Sequence, residues 1–174
     1  AGLKGISENH WAYAYILPLY NWGIITGNEN GELEPDRPVT REEFVKLIVA
    51  AKGLKGGDES LLFSDVNSND WCYPYVKAAY DNKIISGISE SLFGTGNLLT
   101  REDMAVILRR LSASEAEETE QFSDDSEISE YAKAAVYSMK KAGYISGTGE
   151  NRFEPKGMAT RAQAAKIICM LIGM

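Results

Sequence analysis

The heptapeptide PVTREEF, residues 38–44, carries the signals that begin a helix in this chain. Thr40 is a favourable N-cap residue. Glu43, three positions later, completes the capping-box pattern, in which each side chain satisfies one backbone N–H group. Arg41 then occupies the first helical position, where the positive end of the helix dipole disfavours a cation by ~0.3–1 kcal/mol. An arginine in this place therefore needs a compensating contact.

The threonine–arginine pair recurs at intervals of 60 residues, as Thr100-Arg101 and Thr160-Arg161. The residue at the capping-box position varies, so the box is strict in the first copy and approximate in the copies with Asp103 and Gln163. The same interval of 60 residues relates further positions, namely Gly27, Gly87 and Gly147, then Ile25, Ile85 and Ile145, then Trp11, Trp71 and Tyr131. The sequence therefore predicts three copies of one structural unit.

Each unit reads as a helix, a loop and a second helix. The first helix pattern opens at the Trp11, Trp71 or Tyr131 position and ends at a glycine-containing turn. A unit of about 50 residues with two modest helices cannot bury its apolar faces alone. We therefore expect an all-α fold in which three tandem helix-loop-helix repeats pack as a single pseudo-threefold unit. The expected repeats are residues 1–52, 62–112 and 122–174, joined by polar linkers at 53–61 and 113–121, the second of which is also compatible with a helical extension.

Composition narrows the function classes. The formal net charge of −7 and the pI of about 4.8 argue against binding to nucleic acid or to an anionic membrane. The longest apolar run, residues 167–174, is shorter than the ~20 residues that a membrane span requires. Two cysteines and one histidine argue against a zinc site, and we predict neither a metal nor a cofactor. Cys72 is interpreted as a small core residue, with a disulfide to Cys169 as an open alternative.

Two interpretations account for the three arginines. In the first, each guanidinium pairs with a nearby carboxylate, such as Glu42, Asp65 or Asp124, or stacks on an aromatic ring. In the second, exposed N–H groups of the helix and the guanidinium together bind an anion. Trp11 and Trp71 pose a similar choice, because a tryptophan near a loop either covers the core or offers its face to a sugar ring. In an acidic chain, the arginines would attract an anion only locally, within a Debye length of ~10 Å.

Several segments resemble the repeat of the S-layer homology family. Its pattern is an F-x-D-V lead, a W-A helix start, G-I-I-x-G, a G-x-F-x-P loop and T-R-A-E. The resemblance covers nearly the whole chain and rests on three ordered sets of motifs, among them FSDVNSNDWCYPYV at 63–76, GIITGNENGELEP at 23–35, ISGTGENRFEP at 145–155 and TREEF at 40–44.

The resemblance implies a three-pronged spindle with grooves between neighbouring repeats. It implies an extracellular module, fused to a larger cargo protein, that attaches this protein non-covalently to the cell wall of a Gram-positive-type bacterium. The implied ligand is secondary cell-wall polysaccharide that carries a pyruvate ketal, often on N-acetylmannosamine, and a pyruvate carboxylate suits an arginine. The glycan-binding residues expected on this basis are Arg41, Arg101, Arg161, Trp11, Trp71, Tyr131, Gly27, Gly87 and Gly147.

The chain departs from the family pattern at some positions. The lead of the first repeat has Gly5 in place of the aspartate, and the third repeat has Tyr131 in place of the tryptophan. If each binding set comes from one repeat, Arg161 belongs with Tyr131, and the third set is predicted to be the weakest. Grooves between neighbours would pair arginines and aromatics differently, and the sequence does not decide between these arrangements.

Other functions fit less well. A peptidoglycan-binding or protein-binding array of the same fold remains an alternative. A calcium-binding, dockerin-like module is suggested by NENGELEPD at 28–36, but the corresponding loop of the second repeat lacks the alternating acids. Catalysis is not expected, because no acidic position beyond the helix cap recurs in all three repeats. His10 is interpreted as a surface residue beside Trp11.

Overall fold

The computed structural model describes residues 2–112 and 119–174, so most of the predicted second linker, residues 113–118, lies outside the described residues. Within these two ranges the secondary structure is helical, with no named strand and one short 3-10 helix at Asp125–Glu127. The all-α prediction is confirmed. The α-helices are α1 (Tyr13–Asn21), α2 (Arg41–Lys52), α3 (Tyr73–Asp81), α4 (Arg101–Ser112), α5 (Glu130–Lys141) and α6 (Arg161–Leu171).

The second helix of each repeat begins at its arginine, as the threonine caps predict. In α2 the Thr40 hydroxyl accepts the backbone N–H of Glu43 at 3.3 Å, and the Glu43 carboxylate accepts that of Thr40 at 3.1 Å. The box is also complete in α6, because the amide oxygen of Gln163 takes the part of a carboxylate. The first helices of repeats 1 and 2 begin later than expected, since Trp11 and Trp71 lie in turns two residues before α1 and α3, whereas α5 already includes Tyr131.

The repeats pack in a closed ring. The second helix of each repeat lies against the first helix of the next, so that α2 contacts α3, α4 contacts α5, and α6 returns to contact α1. One continuous hydrophobic core includes residues from all three repeats, such as Phe44, Leu108 and Ile168. The expected packing of three repeats as one unit is thus confirmed.

Three backbone hydrogen bonds mark the pseudo-threefold axis. The N–H of Val39 donates to the carbonyl of Ala159 at 2.9 Å, that of Leu99 to Val39 at 3.0 Å, and that of Ala159 to Leu99 at 2.9 Å. All three residues are fully buried. Each precedes a capping threonine, so this cycle of bonds joins the three long helix starts to one another.

The lead aspartates hold the loops between the helices. The Asp65 carboxylate accepts the backbone N–H groups of Phe93, Gly94 and Thr95 at 2.8, 2.8 and 2.9 Å. Asp124 does the same for Phe153 and its neighbour. The interpretation in which these two aspartates pair with the arginines at the helix starts is therefore wrong, because their oxygens bind backbone donors, and the arginine near Asp124 is Arg152 at 3.7 Å.

In the first repeat a backbone carbonyl replaces the missing aspartate. The Lys4 carbonyl accepts the N–H of Leu33 at 3.0 Å. Gly5 makes this approach possible, because its φ is +77° and a Cβ there would lie 2.9 Å from the Leu33 nitrogen. The loop of the first repeat is thus held by a backbone hydrogen bond that Gly5 permits, in place of the aspartate of the family pattern.

Acid is expected to destabilise the fold partly through these carboxylates. Burial alone would raise the pKa of Asp65, but the three backbone donors hold this pKa below its ordinary value. A depressed folded-state pKa gives stability above the unfolded-state pKa of about 3.9, and this stability is lost as the pH falls through the folded-state value. Urea unfolding of Asp65→Asn should therefore depend less on pH below about 4 than that of the unmodified chain. Equal pH dependence of the two proteins would contradict this assignment.

Both cysteines are buried free thiols. Cys72 is a core residue as expected, and the Cys169 thiol contacts the Tyr15 carbonyl at 3.2 Å. The alternative of a disulfide between them is wrong. Among the described residues, the helices are too short or too polar to cross a membrane.

Candidate functional site

Three equivalent grooves lie between the repeats, and each draws residues from all three of them. A groove combines the glycine and second helix of one repeat, the arginine of the preceding repeat and the aromatic residue of the following one. The cavity volumes are about 590, 370 and 350 Å³ for grooves 1, 2 and 3. Groove 1 contains Arg161, Gly27 and Trp71; groove 2 contains Arg41, Gly87 and Tyr131; and groove 3 contains Arg101, Gly147 and Trp11.

All nine residues named from the sequence therefore line a groove, but the sets differ from those formed within single repeats. Tyr131 lies with Arg41 in groove 2, whereas Arg161 lies with Trp71 in groove 1. Of the two arrangements that the sequence leaves open, the structure has the one in which grooves form between neighbouring repeats. The groove that lacks a tryptophan is the one containing Arg41.

Each groove arginine is bound to the backbone of the next repeat. The Nε and Nη2 of Arg101 donate to the carbonyls of Phe153 and Ser146 at 2.8 and 2.9 Å. Arg161 donates to Leu33 and Thr26 at 2.9 and 2.8 Å. Arg41 makes the equivalent bonds at 3.1 and 3.4 Å. These bonds fix each guanidinium and leave both N–H groups of Nη1 and one of Nη2 without a backbone partner.

The arginines are also largely buried, with 7–8% of each residue exposed. The guanidinium of Arg41 lies 5.1 Å from the Phe93 ring centre, and that of Arg101 lies 4.9 Å from the Phe153 ring centre. The stacking part of the first interpretation is thus correct for these two. Burial lowers the guanidinium pKa of all three, but arginine begins so far above neutrality that each remains charged.

The backbone N–H groups at the helix starts bind protein carbonyls. The N–H of Arg41 donates to Asn97, that of Arg101 to Gly157, and that of Arg161 to Arg37, each at 2.9 Å. The second interpretation, in which exposed helix N–H groups share an anion with the guanidinium, is therefore wrong in its backbone part. The guanidinium and neighbouring side chains are left as the candidate groups for an anion.

The groove glycines permit close approach of their own loops. A Cβ on Gly27 would lie 2.3 Å from the carbonyl carbon of Gly31, and one on Gly87 would lie 2.2 Å from the Leu92 oxygen. At Gly147 the corresponding distance to the Arg152 oxygen is 2.7 Å. These glycines therefore shape the groove wall through contacts within the protein.

Gly87→Ala is expected to destabilise the fold by about 3 kcal/mol or more, since the added methyl group meets backbone oxygens that cannot move independently. Gly57→Ala is the matched control, because a Cβ there would have a single ordinary contact, at 3.7 Å to Asp81. Urea unfolding of the two variants measures the difference. A Gly87→Ala protein as stable as the control would show that the loop adapts freely.

The aromatic residues of the grooves are exposed. The exposed fraction is 53% for Trp11, 54% for Trp71 and 64% for Tyr131. This exposure favours a ligand-facing role over a core-covering one. His10 stacks on Trp11 with ring centres 5.8 Å apart. It is more buried than expected, because its Nδ1 accepts the N–H of Ala12 at 3.1 Å and so shapes the turn.

The sequence reasoning missed further cations in the grooves. Lys46 and Arg37 line groove 1, Arg110 lines groove 2, and Lys166 lines groove 3. Lys46 and Lys166 are separated by two intervals of 60 residues, and this spacing was a usable signal. Each groove has more cations than carboxylates among its lining residues, although the chain as a whole is acidic.

The loop at 28–36 that suggested calcium binding is organised by its own side chain. The Asn28 side-chain oxygen accepts the N–H groups of Asn30 and Glu32 at 2.9 and 3.0 Å. Leu33 of the same loop is fully buried. Both features support the groove wall of the first repeat, and neither favours a cation site.

Comparison with known proteins gives matches along most of the chain. The model of the S-layer homology domain matches residues 6–45, 62–105 and 121–165. The chain is 36% identical over 171 residues to an amylopullulanase of Thermoanaerobacterium thermosulfurigenes, covering 95% of this chain and 9% of that protein. It is 36% identical to the exoglucanase XynX of Acetivibrio thermocellus, covering 95% of this chain and 16% of that protein.

A third relative is named as a surface protein. The chain is 28% identical to the surface-layer 125 kDa protein of Lysinibacillus sphaericus, covering 93% of this chain and 14% of that protein. The chain thus spans less than a fifth of the length of these three relatives.

Proposed function

This chain belongs to the S-layer homology domain family, and on that premise we propose that it anchors a larger surface protein non-covalently to a bacterial cell wall. The ligand is secondary cell-wall polysaccharide that carries a pyruvate ketal on a sugar such as N-acetylmannosamine. It binds in the grooves between the repeats. The module itself performs no catalysis.

The relatives support an attachment role. Two are named as polysaccharide-degrading enzymes and one as a surface-layer protein, yet all three align with nearly the whole of this chain. A region that is shared by proteins with such different names, and that forms a small part of each, suits a common task of attachment. The cargo of this chain is then a protein of a bacterial cell surface.

The composition of the grooves is the observation that carries the proposal for the ligand. Each groove holds a guanidinium fixed by two carbonyls, an exposed aromatic side chain and at least one additional cation. The free Nη1 suits the carboxylate of a ketal, and the ring suits the face of the sugar. Because the arginine is already ordered, little side-chain entropy is lost when the ligand binds.

A sedimentation assay with isolated cell walls tests the attachment. The chain should co-sediment with intact walls and remain in solution with walls from which the accessory polysaccharide has been stripped. A Trp11→Ala/Trp71→Ala protein, whose substituted side chains are mostly exposed, controls for nonspecific adsorption and should bind intact walls weakly. Equal binding to stripped walls would favour the peptidoglycan-binding alternative.

A further inference from the structure

The three grooves differ in the side chain that faces the arginine. In groove 2 the Asp103 Oδ2 lies 3.8 Å from the Arg41 Nη1. Neither of the two backbone bonds of Arg41 uses this nitrogen, so both of its N–H groups are left for a ligand. A carboxylate of the protein thus stands beside the group that would receive the carboxylate of the glycan.

Asp103 also holds the aromatic side chain of groove 2. The Tyr131 hydroxyl lies 2.8 Å from the Asp103 Oδ1 and 3.3 Å from Glu102. The single O–H proton can serve only one of these carboxylates at a time, and the shorter contact is to Asp103. Trp11 and Trp71 have no hydroxyl and are not restrained in this way. One aspartate therefore engages both ligand-facing groups of groove 2.

The equivalent positions in the other grooves leave their arginines free of such a contact. Glu43 of groove 1 is held by Arg37 at 2.7 Å and by the backbone N–H of Thr40. Gln163 of groove 3 carries no charge. Of the three arginines that begin a helix, Arg41 alone has a carboxylate within 4.0 Å among residues 2–112 and 119–174.

Groove 2 also lacks the lysine of the other two grooves. Val106 occupies the position equivalent to Lys46 and Lys166. Its additional cation, Arg110, directs Nη1 to the Ser86 hydroxyl at 3.3 Å. Lys166 of groove 3 makes no hydrogen bond or ion pair with the described part of the chain, so its ammonium group is available to a ligand.

We propose that Asp103 occupies the place of the ligand carboxylate and closes groove 2, so that grooves 1 and 3 are the sites that accept anionic glycan. This inference rests on the proposed function. Groove 3 is the stronger of the two, because it combines Arg101, Lys166 and Trp11 and has no lining carboxylate.

Calorimetry with a defined sugar tests the closure. The probe is the methyl glycoside of N-acetylmannosamine carrying a pyruvate ketal. The starting variant is Trp11→Ala/Trp71→Ala, which removes the aromatic face from grooves 3 and 1 and leaves groove 2 as the only complete groove. It should show no measurable binding. Adding Asp103→Asn should restore binding by about tenfold or more, as expected when a charge-assisted contact to Arg41 becomes available.

The control is Asp58→Asn in the same starting variant, because Asp58 is an exposed carboxylate of the linker and its substitution changes the net charge equally. It should restore nothing. Binding by the starting variant at the affinity of the unmodified chain would overturn the closure of groove 2, and so would failure of Asp103→Asn to restore binding. If the unmodified chain does not bind the probe, the proposed function is wrong and this inference is overturned with it.

Discussion

A chain that ends at residue 112 is expected to lose most of its helical circular dichroism and to be unfolded or aggregated. Such a chain keeps α1 to α4 but loses α5, which packs on α4, and α6, which packs on α1 and α2. The apolar faces of these helices would then be exposed to water, which costs about 25 cal/mol of folding free energy per Å² of apolar surface. Two small repeats retain too little core to offset this loss.

The polar contacts lead to the same expectation. Of the three hydrogen bonds around the pseudo-threefold axis, the two that involve Ala159 disappear, and only the bond from Leu99 to Val39 can form. Arg101 also loses both of its carbonyl partners, Phe153 and Ser146. In the shortened chain the Arg101 guanidinium would thus lack the two carbonyl partners that it has in the full chain.

Addition of a separate 119–174 segment provides the control. If the 1–112 chain is unfolded only because the ring is open, a mixture of the two pieces should regain helical signal, and each piece alone should not. Cooperative thermal melting of the 1–112 chain with the full helical signal of its four helices would contradict this expectation. It would show that the repeats fold independently.

Arg101→Lys is expected to cost about 2–4 kcal/mol of unfolding free energy even without ligand. A lysine has one ammonium group and cannot reproduce the fork that reaches two carbonyls, so a buried carbonyl oxygen is left unpaired. Trp11→Ala, in the same groove, should cost about 1 kcal/mol or less, because about half of the residue is exposed, while weakening glycan binding. Urea unfolding separates the two cases.

The comparison decides how binding data on arginine variants should be interpreted. A loss of affinity in Arg101→Lys reports partly on the wall of the groove, whereas a loss in Trp11→Ala reports on ligand contact. If Arg101→Lys unfolds at the same urea concentration as the unmodified chain, the bonds to Phe153 and Ser146 carry little energy. The arginines would then be primarily ligand-binding residues.

The architecture followed from local signals in the sequence. The Thr40 cap with Glu43 fixed one helix start, and the 60-residue interval transferred it to the other two repeats. The buried residues Leu33, Phe93 and Phe153 recur at the same interval. Helix caps and repeated apolar residues depend on which residue occupies a position, so they can be predicted from the sequence.

The partners of the arginines could not be read from the sequence. Arg161 binds the carbonyls of Leu33 and Thr26, and a carbonyl is present at every residue, so no side chain marks it. The contact of α6 in the third repeat with α1 in the first depends on how the whole chain packs, and no local sequence pattern marks it. For this reason the sequence supplied the components of the grooves but left open which arginine lies with Tyr131.

The role of Asp103 was hidden by its cap position. As the third residue of α4 it donates its backbone N–H to Thr100, as the capping pattern requires. Its contact with Tyr131 depends on the packing of α5 against α4 and has no counterpart in the local sequence. A residue that satisfies a local pattern can therefore also block a site formed by distant repeats.

The most direct test of the account is a calorimetric titration of the unmodified chain with wall polysaccharide that carries its pyruvate ketals and with the same polysaccharide after their removal. Arg101, Arg161 and Lys166 are expected to bind the ketal carboxylate, so removal should weaken binding by about tenfold or more. Added salt should weaken binding to the intact polysaccharide less than it weakens an exposed ion pair, because the guanidinium is largely buried. Equal affinity for the two polysaccharides would contradict recognition of the carboxylate.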